Sequence, residues 1–233
     1  MSTDTIRYEQ RDSVALITMD DGKANALGPA SITALTEALD RAERDAKAVV
    51  LAGRAGRFSA GFDLSVMMSS PELARSLVMS GAHLFLRVFE HPQPLIAACT
   101  GHALAGGAIV LLGSDRRIGA AGAFKIGLNE TTIGMPLPIF AHALAKQCLD
   151  PRRLLEATLH GTVYDPEGAR EVGYLDRVVP AERVLDEALA EATRLAPISG
   201  TAYRITKKTL RGPTAEYVRQ TLEEDMLRFR VGG

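Results

Sequence analysis

The chain has 233 residues, of which 46% are hydrophobic and 24% are charged. This composition is typical of a globular protein, and the length fits one large domain or one domain with a small appendage. The formal net charge of −1 excludes the strongly basic surface that nucleic acids or anionic membranes attract, so we expect neither as a partner. Short basic pairs at 152–153 and 207–208 are expected to lie on solvated faces, although such a pair could also bind a phosphorylated ligand.

The cysteines and the apolar runs bear on the cellular compartment. Cys99 and Cys148 are the only cysteines and show no metal-ligand spacing, so we expect a reducing, cytoplasmic environment. The first residues lack the basic and apolar regions of a signal peptide. The longest apolar runs, such as 103–113, are too short to span a membrane.

The first predicted elements are a hairpin of two strands at 6–10 and 14–19. A helix is predicted to begin near Pro29, because proline is favoured in a first helical turn and the apolar residues that follow recur at the helical period. The apolar run 49–52 predicts a strand covered on both faces, and 53–57 is predicted to be a loop.

The middle of the chain repeats a pattern of strand, glycine turn and helix, which predicts stacked units. Ser70, Pro71 and Glu72 form a typical helix start, with a serine cap and an acid in the first turn. The predicted elements are a helix from there to about Glu90, a strand at 95–99, a buried helix at 106–113, and strands at 117–120 and 123–126.

The last third is predicted to be mostly helical. The predicted elements are a helix opened by Pro136 and Pro138, helices capped by Asp150 and Asp165, a strand at 174–179, and helices at 181–195, 198–211 and 214–230 with breaks at Gly200 and at 212–213. We therefore predict an α/β core at 1–180 and a helical region at 181–233. Apolar stripes on these last helices need a partner surface, either the core or another subunit.

Two glycine-bearing turns, at 58–64 and 101–107, each lie between a strand-like and a helix-like run. Backbone N–H groups at such positions are free to point at a ligand, and two of them aimed at one oxygen form an oxyanion hole. Glycines at such turns can also serve backbone geometry alone. Occurring together after two buried strands, they favour a two-donor site for acyl-transfer or enolate chemistry.

Glu130 is the candidate base, because it lies among uncharged neighbours between two glycines. Apolar surroundings would raise the pKa of this carboxyl toward the range useful for proton transfer, although the residue could also lie exposed in a loop. Asp63 is predicted to cap the helix after the first turn, and His102 to have a packing role. The sequence has no nucleophile elbow, Walker A loop, dinucleotide fingerprint or zinc-protease motif.

The segments around 58–64, 101–115 and 126–131 resemble the crotonase (enoyl-CoA hydratase/isomerase) superfamily, over nearly the whole chain. The resemblance implies an α/β fold, the ClpP/crotonase spiral of repeated ββα units, with a C-terminal helical region for trimerisation. It implies an oxyanion hole formed by the N–H groups of Phe62 and Gly106. It also implies a coenzyme A thioester as the substrate, no other cofactor, and a homotrimer or hexamer. The residues implied to bind the substrate are Ala24, Ala60, Gly61, Asp63, Leu64 and Gly107.

One position departs from the hydratases of this superfamily, which use two glutamates. Ile109 stands where the first is expected, and Glu130 occupies the second position. A single base suffices for a 1,3-proton shift, and 126–131 resembles the mitochondrial-type Δ3-Δ2-enoyl-CoA isomerases. We therefore expect an isomerase of fatty-acid metabolism with Glu130 as the base. A hydratase that uses another acid, and a non-catalytic acyl-CoA-binding protein, are the alternatives.

Overall fold

The computed structural model describes residues 5–229, in which two sheets are covered by helices. The strands are β1 (Ile6–Arg11), β2 (Val14–Met19), β3 (Ala48–Ala52), β4 (Gly56–Ser59), β5 (Leu95–Cys99), β6 (Gly101–Leu104), β7 (Arg116–Ala120), β8 (Ile126–Gly127) and β9 (Arg177–Val179). The α-helices are α1 (Pro29–Asp45), α2 (Leu64–Met67), α3 (Pro71–Phe89), α4 (Gly106–Gly113), α5 (Ile139–Cys148), α6 (Leu154–Thr158), α7 (Pro166–Val172), α8 (Val184–Leu195) and α9 (Thr201–Arg228).

The larger sheet has six strands in the order β1-β2-β3-β5-β7-β9, and only the β1–β2 pair is antiparallel. The smaller sheet is parallel, in the order β4-β6-β8. Successive strand pairs, β3 with β4, β5 with β6 and β7 with β8, each give one strand to each sheet. The repeat expected from the sequence is therefore a unit of two strands, followed by helical structure.

Both faces of the larger sheet are buried, as the apolar runs predict. Because side chains alternate along a strand, Val49 and Leu51 face the main core, while Ala48 and Val50 face a second cluster. Helix α8 covers that second face with Val184, Ala188 and Ala192. The stripe on α9 (Val218, Leu222 and Met226) is buried in the main core. The stripe predicted on α8, Leu185, Leu189 and Leu195, is partly buried against the second cluster. Both predicted stripes therefore pack on the core, and the division at residue 180 stays a prediction.

The smaller sheet was missed in the sequence. Residues 56–57, predicted as loop, begin β4, and residues 101–104, predicted as turn, form β6. Only the end of the strand predicted at 123–126 is a strand, which continues into Gly127 as β8. Strands of two to four residues lie at or below the usual lower limit of length, and they carry no periodic signal of their own. Their partners are distant in the chain and fix them as strands.

Several predicted element boundaries also shift. The helix predicted from Asp150 starts at Leu154, because residues 151–153 form a turn, in which Asp150 accepts a hydrogen bond from the Arg152 N–H at 2.9 Å. The strand predicted at 174–179 is confined to Arg177–Val179, and Tyr174 is fully buried ahead of it. The end of the last predicted helix, at residue 230, lies outside the described residues.

The predicted helix break at 212–213 is wrong, because α9 runs through Pro213. Proline inside a helix removes a hydrogen bond and costs about 3 kcal/mol. Tertiary contacts hold the helix on both sides of this point. Ahead of it, the Arg211 guanidinium donates hydrogen bonds to three carbonyl oxygens near the carboxyl ends of α3 and α4, those of Phe89 (2.6 Å), Gly113 (2.8 Å) and Ser114 (3.2 Å). Beyond it, the apolar stripe of α9 is buried.

Lys207 does not lie on a solvated face, which corrects the interpretation of the basic pair at 207–208. Its side chain is buried, and its Nζ lies 2.6 Å from Asp115 Oδ2. Lys208 is exposed, as expected. A buried ammonium needs such a partner, so this ion pair fastens α9 to the start of β7. Within residues 5–229, the helices include none that is long and apolar enough to cross a membrane.

Candidate active site

The two glycine turns meet at the carboxyl ends of β4 and β6. Gly61 has a φ of +87°, and a Cβ there would lie 2.9 Å from the backbone N of Gly106. A Cβ on Gly107 would lie 2.3 Å from the carbonyl oxygen of Ser59. Only glycine permits both the positive φ and these close approaches. The glycines therefore bring the two turns into direct contact.

Among the backbone N–H groups of these turns that have no hydrogen-bond acceptor within residues 5–229 are those of Phe62 and Gly106. Gly106 is the first residue of α4, where backbone N–H groups have no partner inside the helix. Phe62 lies between two bonds to Leu27, which donates to the Gly61 carbonyl at 2.8 Å and accepts from the Asp63 N–H at 3.1 Å. This pairing leaves the Phe62 N–H on the other side of the strand.

Ala105, which the sequence did not single out, has a strained backbone. Its φ and ψ are +49° and −120°, a region that non-glycine residues rarely occupy and that costs about 1–3 kcal/mol. Its N–H donates to the Gly127 carbonyl at 3.0 Å, and its carbonyl accepts from the Ile109 N–H at 3.0 Å. These bonds hold the turn that leads into the N–H of Gly106. The only sequence signal for it is the glycine pair that follows.

The segment 24–27 is bound to the first turn. The Ala60 N–H donates to the Ala24 carbonyl at 3.0 Å, and Ser59 Oγ donates to the Asn25 carbonyl at 2.8 Å. Asn25 is buried, and its amide donates to carbonyl oxygens of both β2 and β4, at 2.9 Å to Met19 and 3.1 Å to Phe58. This network fixes the position of the first turn against the larger sheet.

A cavity of about 260 Å³ opens beside the two turns. Its walls are mainly apolar, and they come from the turns, α2, α3, α4, α5 and the end of α9. The described residues that line it are Ala60, Phe62, Leu64, Met67, Val78, Leu104, Ala105, Ile109, Asn129, Glu130, Ile133, Met135, Pro136, Pro138, Phe140 and Phe229. Among them, Glu130 alone has an ionisable side chain.

Glu130 begins a short 3-10 turn (Glu130–Ile133) and is only 7% exposed. Its Oε2 is buried and has no hydrogen-bond partner within the described chain. Burial removes water from the carboxylate, which disfavours the charged form and raises the pKa of Glu130 from 4.5 to about 7. A carboxylate with one unpaired oxygen in an apolar wall is able to exchange a proton near neutral pH.

Ile109 lines the same cavity from the first turn of α4 and is 1% exposed. Its side chain can neither donate nor accept a proton. Among the described residues, the cavity therefore contains one titratable side chain, that of Glu130. Position 109, where another acid was expected, contributes only apolar surface.

The remaining predicted residues lie around the cavity in different ways. Ala60 and Leu64 line it, whereas the Ala24 carbonyl accepts the hydrogen bond from the Ala60 N–H. Asp63 caps α2, as predicted, by accepting a hydrogen bond from the Ser65 N–H at 2.9 Å. The Ser65 hydroxyl, which also donates to it, lowers the pKa of Asp63. Binding roles for the substrate-binding residues stay predictions.

His102 has the packing role that was predicted for it. Its Nδ1 accepts the Lys125 N–H at 3.0 Å, and its ring packs edge-on against Phe124. Residues 5–229 contain no group of three or more His, Cys, Asp or Glu side chains placed to hold a metal ion.

Comparisons with known proteins agree on the family. The model of the enoyl-CoA hydratase/isomerase family matches residues 9–230. A putative enoyl-CoA hydratase of Thermus thermophilus is 32% identical, over 86% of this chain and 81% of its own length. The crystal structure of an enoyl-CoA hydratase/isomerase family protein from Pseudomonas syringae is 41% identical, with a TM-score of 0.95 over 97% of this chain and 99% of that one.

Human mitochondrial delta3-delta2-enoyl-CoA isomerase is similar as well, at 30% identity and a TM-score of 0.92 over 96% of this chain and 90% of that one. These matches confirm the resemblance and the predicted crotonase-like fold. The chain therefore belongs to the enoyl-CoA hydratase/isomerase family, and it is a crotonase-fold enzyme of the enoyl-CoA isomerase/hydratase type.

Proposed function

We propose that this enzyme is a Δ3-Δ2-enoyl-CoA isomerase that acts in fatty-acid metabolism, in β-oxidation. One observation carries the choice of reaction. Of the described residues that line the cavity, Glu130 alone can move a proton, while Ile109 fills the position where the family's hydratases have their first glutamate.

The reaction is a proton shift that needs one base. Glu130 takes a proton from C2 of a 3-enoyl-CoA, and the electrons of that C–H bond move into the thioester, giving a dienolate. The N–H groups of Phe62 and Gly106 hold the negatively charged oxygen. Glu130 then returns the proton to C4, which moves the double bond from C3–C4 to C2–C3. Each donor in such a hole contributes about 2.7–4 kcal/mol to stabilising the charge.

The electrostatics of the site suit both halves of this reaction. A pKa of about 7 at Glu130 leaves a substantial fraction of the base ionised at neutral pH and makes the protonated form a competent acid. The Gly106 N–H lies at the amino end of α4, where the helix dipole favours negative charge. Glu130 therefore acts on the proton, while the two backbone N–H groups act on the thioester oxygen.

Hydration is the rival reaction, and the Thermus relative is named as a putative hydratase. Adding water requires that a water molecule be held, oriented and deprotonated, and ordered water needs two to four polar partners. With Ile109 on the wall, Glu130 would have to hold the water without another glutamate. The apolar wall therefore favours the isomerase.

The family also bears on the substrate, the cofactors and the assembly. We propose that the substrate is an acyl-CoA, that no other cofactor takes part, and that the enzyme is a homotrimer or hexamer. Helix α9 exposes large apolar side chains that could pack against another subunit, namely Ile205, Leu210 and Tyr217. A trimerisation role for 181–233 and a cytoplasmic location stay predictions.

Two substrates test the proposal on one preparation. With 3-hexenoyl-CoA, we expect the absorbance of the conjugated thioester to appear; with crotonyl-CoA, we expect it to persist. The Glu130→Gln variant should lose the first reaction and still bind a saturated acyl-CoA. The same change at the exposed Glu37 is the control and should keep the activity. Rapid loss of the crotonyl-CoA absorbance, or full activity in Glu130→Gln, would overturn the assignment.

A further inference from the structure

One wall of the cavity comes from the far end of the chain. Phe229 follows α9 directly and lines the cavity together with residues that are at least 89 positions earlier, such as Phe140. Its N–H donates to the Asp225 carbonyl at 2.9 Å, which continues the helical turn up to the aromatic ring. The position of this wall is therefore set by where α9 ends.

The end of α9 is fastened to the start of α5. Asp225 Oδ2 accepts the N–H of Ile139, the first residue of α5, at 2.7 Å. Next to it, Met226 is buried in the main core at 1% exposure. The start of α5 also lines the cavity, through Pro138 and Phe140. The two helix ends therefore form one wall, and Phe229 is its outermost aromatic ring.

The walls differ in what lies behind them. Met67, Val78 and Phe140 are 3% exposed or less and belong to the main core, so the cavity cannot extend past them without disrupting packing. Leu64 and Ile133 are 60% and 51% exposed and form the rim. Phe229 is only half-buried and packs against the main core rather than within it. Removing that ring would lengthen the space without opening the core.

The volume indicates how long an acyl chain the cavity accepts. An apolar cavity of about 150 Å³ holds a benzene ring, so six carbons correspond to that space, and the 260 Å³ here corresponds to about ten carbons. We propose that the enzyme prefers acyl chains of medium length, about eight to ten carbons, and that Phe229 is the residue that limits them. This inference rests on the isomerase function proposed above, because that function places the acyl chain in this cavity.

The test is the ratio of kcat/KM for a twelve-carbon over an eight-carbon 3-enoyl-CoA, measured in each variant. Since both values come from one preparation, a general loss of activity or of folded protein cancels. One additional methylene group in an apolar pocket changes kcat/KM by about 10-fold or more. We expect Phe229→Ala to raise the ratio at least ~10-fold and Phe229→Trp, which enlarges the ring, to lower it.

Leu227→Ala is the matched control, because Leu227 belongs to the same end of α9, is 65% exposed and does not line the cavity. Its ratio should equal that of the wild type. An unchanged ratio in both Phe229 variants would overturn the inference while the isomerase function stands. If neither the wild type nor any variant converts a 3-enoyl-CoA, the proposed function fails. The ratio of the calorimetric Kd values for saturated twelve- and eight-carbon acyl-CoAs, measured in each variant, then decides the role of Phe229.

Discussion

The burial of Glu130 predicts that its substitution by glutamine stabilises the protein at alkaline pH. The pKa of Glu130 rises from 4.5 to about 7 because the folded chain removes water from the carboxylate. The folded state thus binds this proton more tightly than the unfolded state does. Its contribution to stability is fully present below about pH 4.5 and is lost as the pH rises through about 7.

The size of the effect follows from the pKa difference. A rise from 4.5 to about 7 corresponds to about 3 kcal/mol, at ~1.4 kcal/mol per pH unit. Glutamine has nearly the shape of the protonated acid and no charge to bury. We therefore expect Glu130→Gln and wild type to have similar free energies of unfolding near pH 4.5. At pH 8.5 the variant should be more stable by about 3 kcal/mol.

Urea unfolding of both proteins between pH 4.5 and 8.5 measures this difference, and other titrating groups largely cancel between them. Glu37→Gln, at an exposed position of α1, shows how much the loss of one surface carboxylate contributes. A stability difference that is flat across this range, or one that grows toward acid pH, would refute the reasoning that Glu130 is held in an apolar wall.

Three further predictions follow from the site and its supports. In the isomerase assay, kcat/KM should rise with pH through about 7 as Glu130 ionises and then level off; a rate independent of pH from 5 to 9 would contradict this. Gly61→Ala should lower kcat about 10²–10³-fold, because its Cβ would push the turns that present the donors apart; a wild-type kcat would show that the turns need no such contact. Lys207→Met should lower the free energy of unfolding by about 1.5–3 kcal/mol, since it removes one charged partner of the half-buried Asp115, which keeps the Arg211 guanidinium at 3.2 Å; Lys208→Met, at the exposed neighbour, should stay within ~0.5 kcal/mol of wild type.

Elements with local signals could be predicted from the sequence. Helix α3 starts at Pro71 behind the Ser70 cap, and α7 starts at Pro166 behind the Asp165 cap, as predicted. Hydrogen bonds within a few residues define such starts, so the sequence carries the whole signal. The buried strands of the larger sheet were also recognisable, because apolar runs covered on both faces need no knowledge of their partners.

Features that depend on distant partners could not be predicted. The smaller sheet exists because three very short strands pair across the fold, and α9 passes Pro213 because Arg211 and the buried stripe hold it on both sides. Phe229 reaches the cavity only after α9 has packed on the core. For the site itself, the sequence indicated Glu130 and Ile109, but the cavity they share is a property of the assembled chain.

The isomerase assignment connects the burial of Glu130 to the apolar side chain at position 109. A second acid beside Glu130 would place two carboxylates in one small apolar cavity, where like charges hinder each other's ionisation. Ile109 avoids that repulsion, and it leaves burial as the main cause of the raised pKa of Glu130. The absence of the hydratases' first glutamate at position 109 thus does more than remove a reaction partner. In the proposed isomerase it leaves one base, whose pKa is raised by the same apolar walls that would bind the acyl chain, so substrate binding and proton transfer would depend on the same packing.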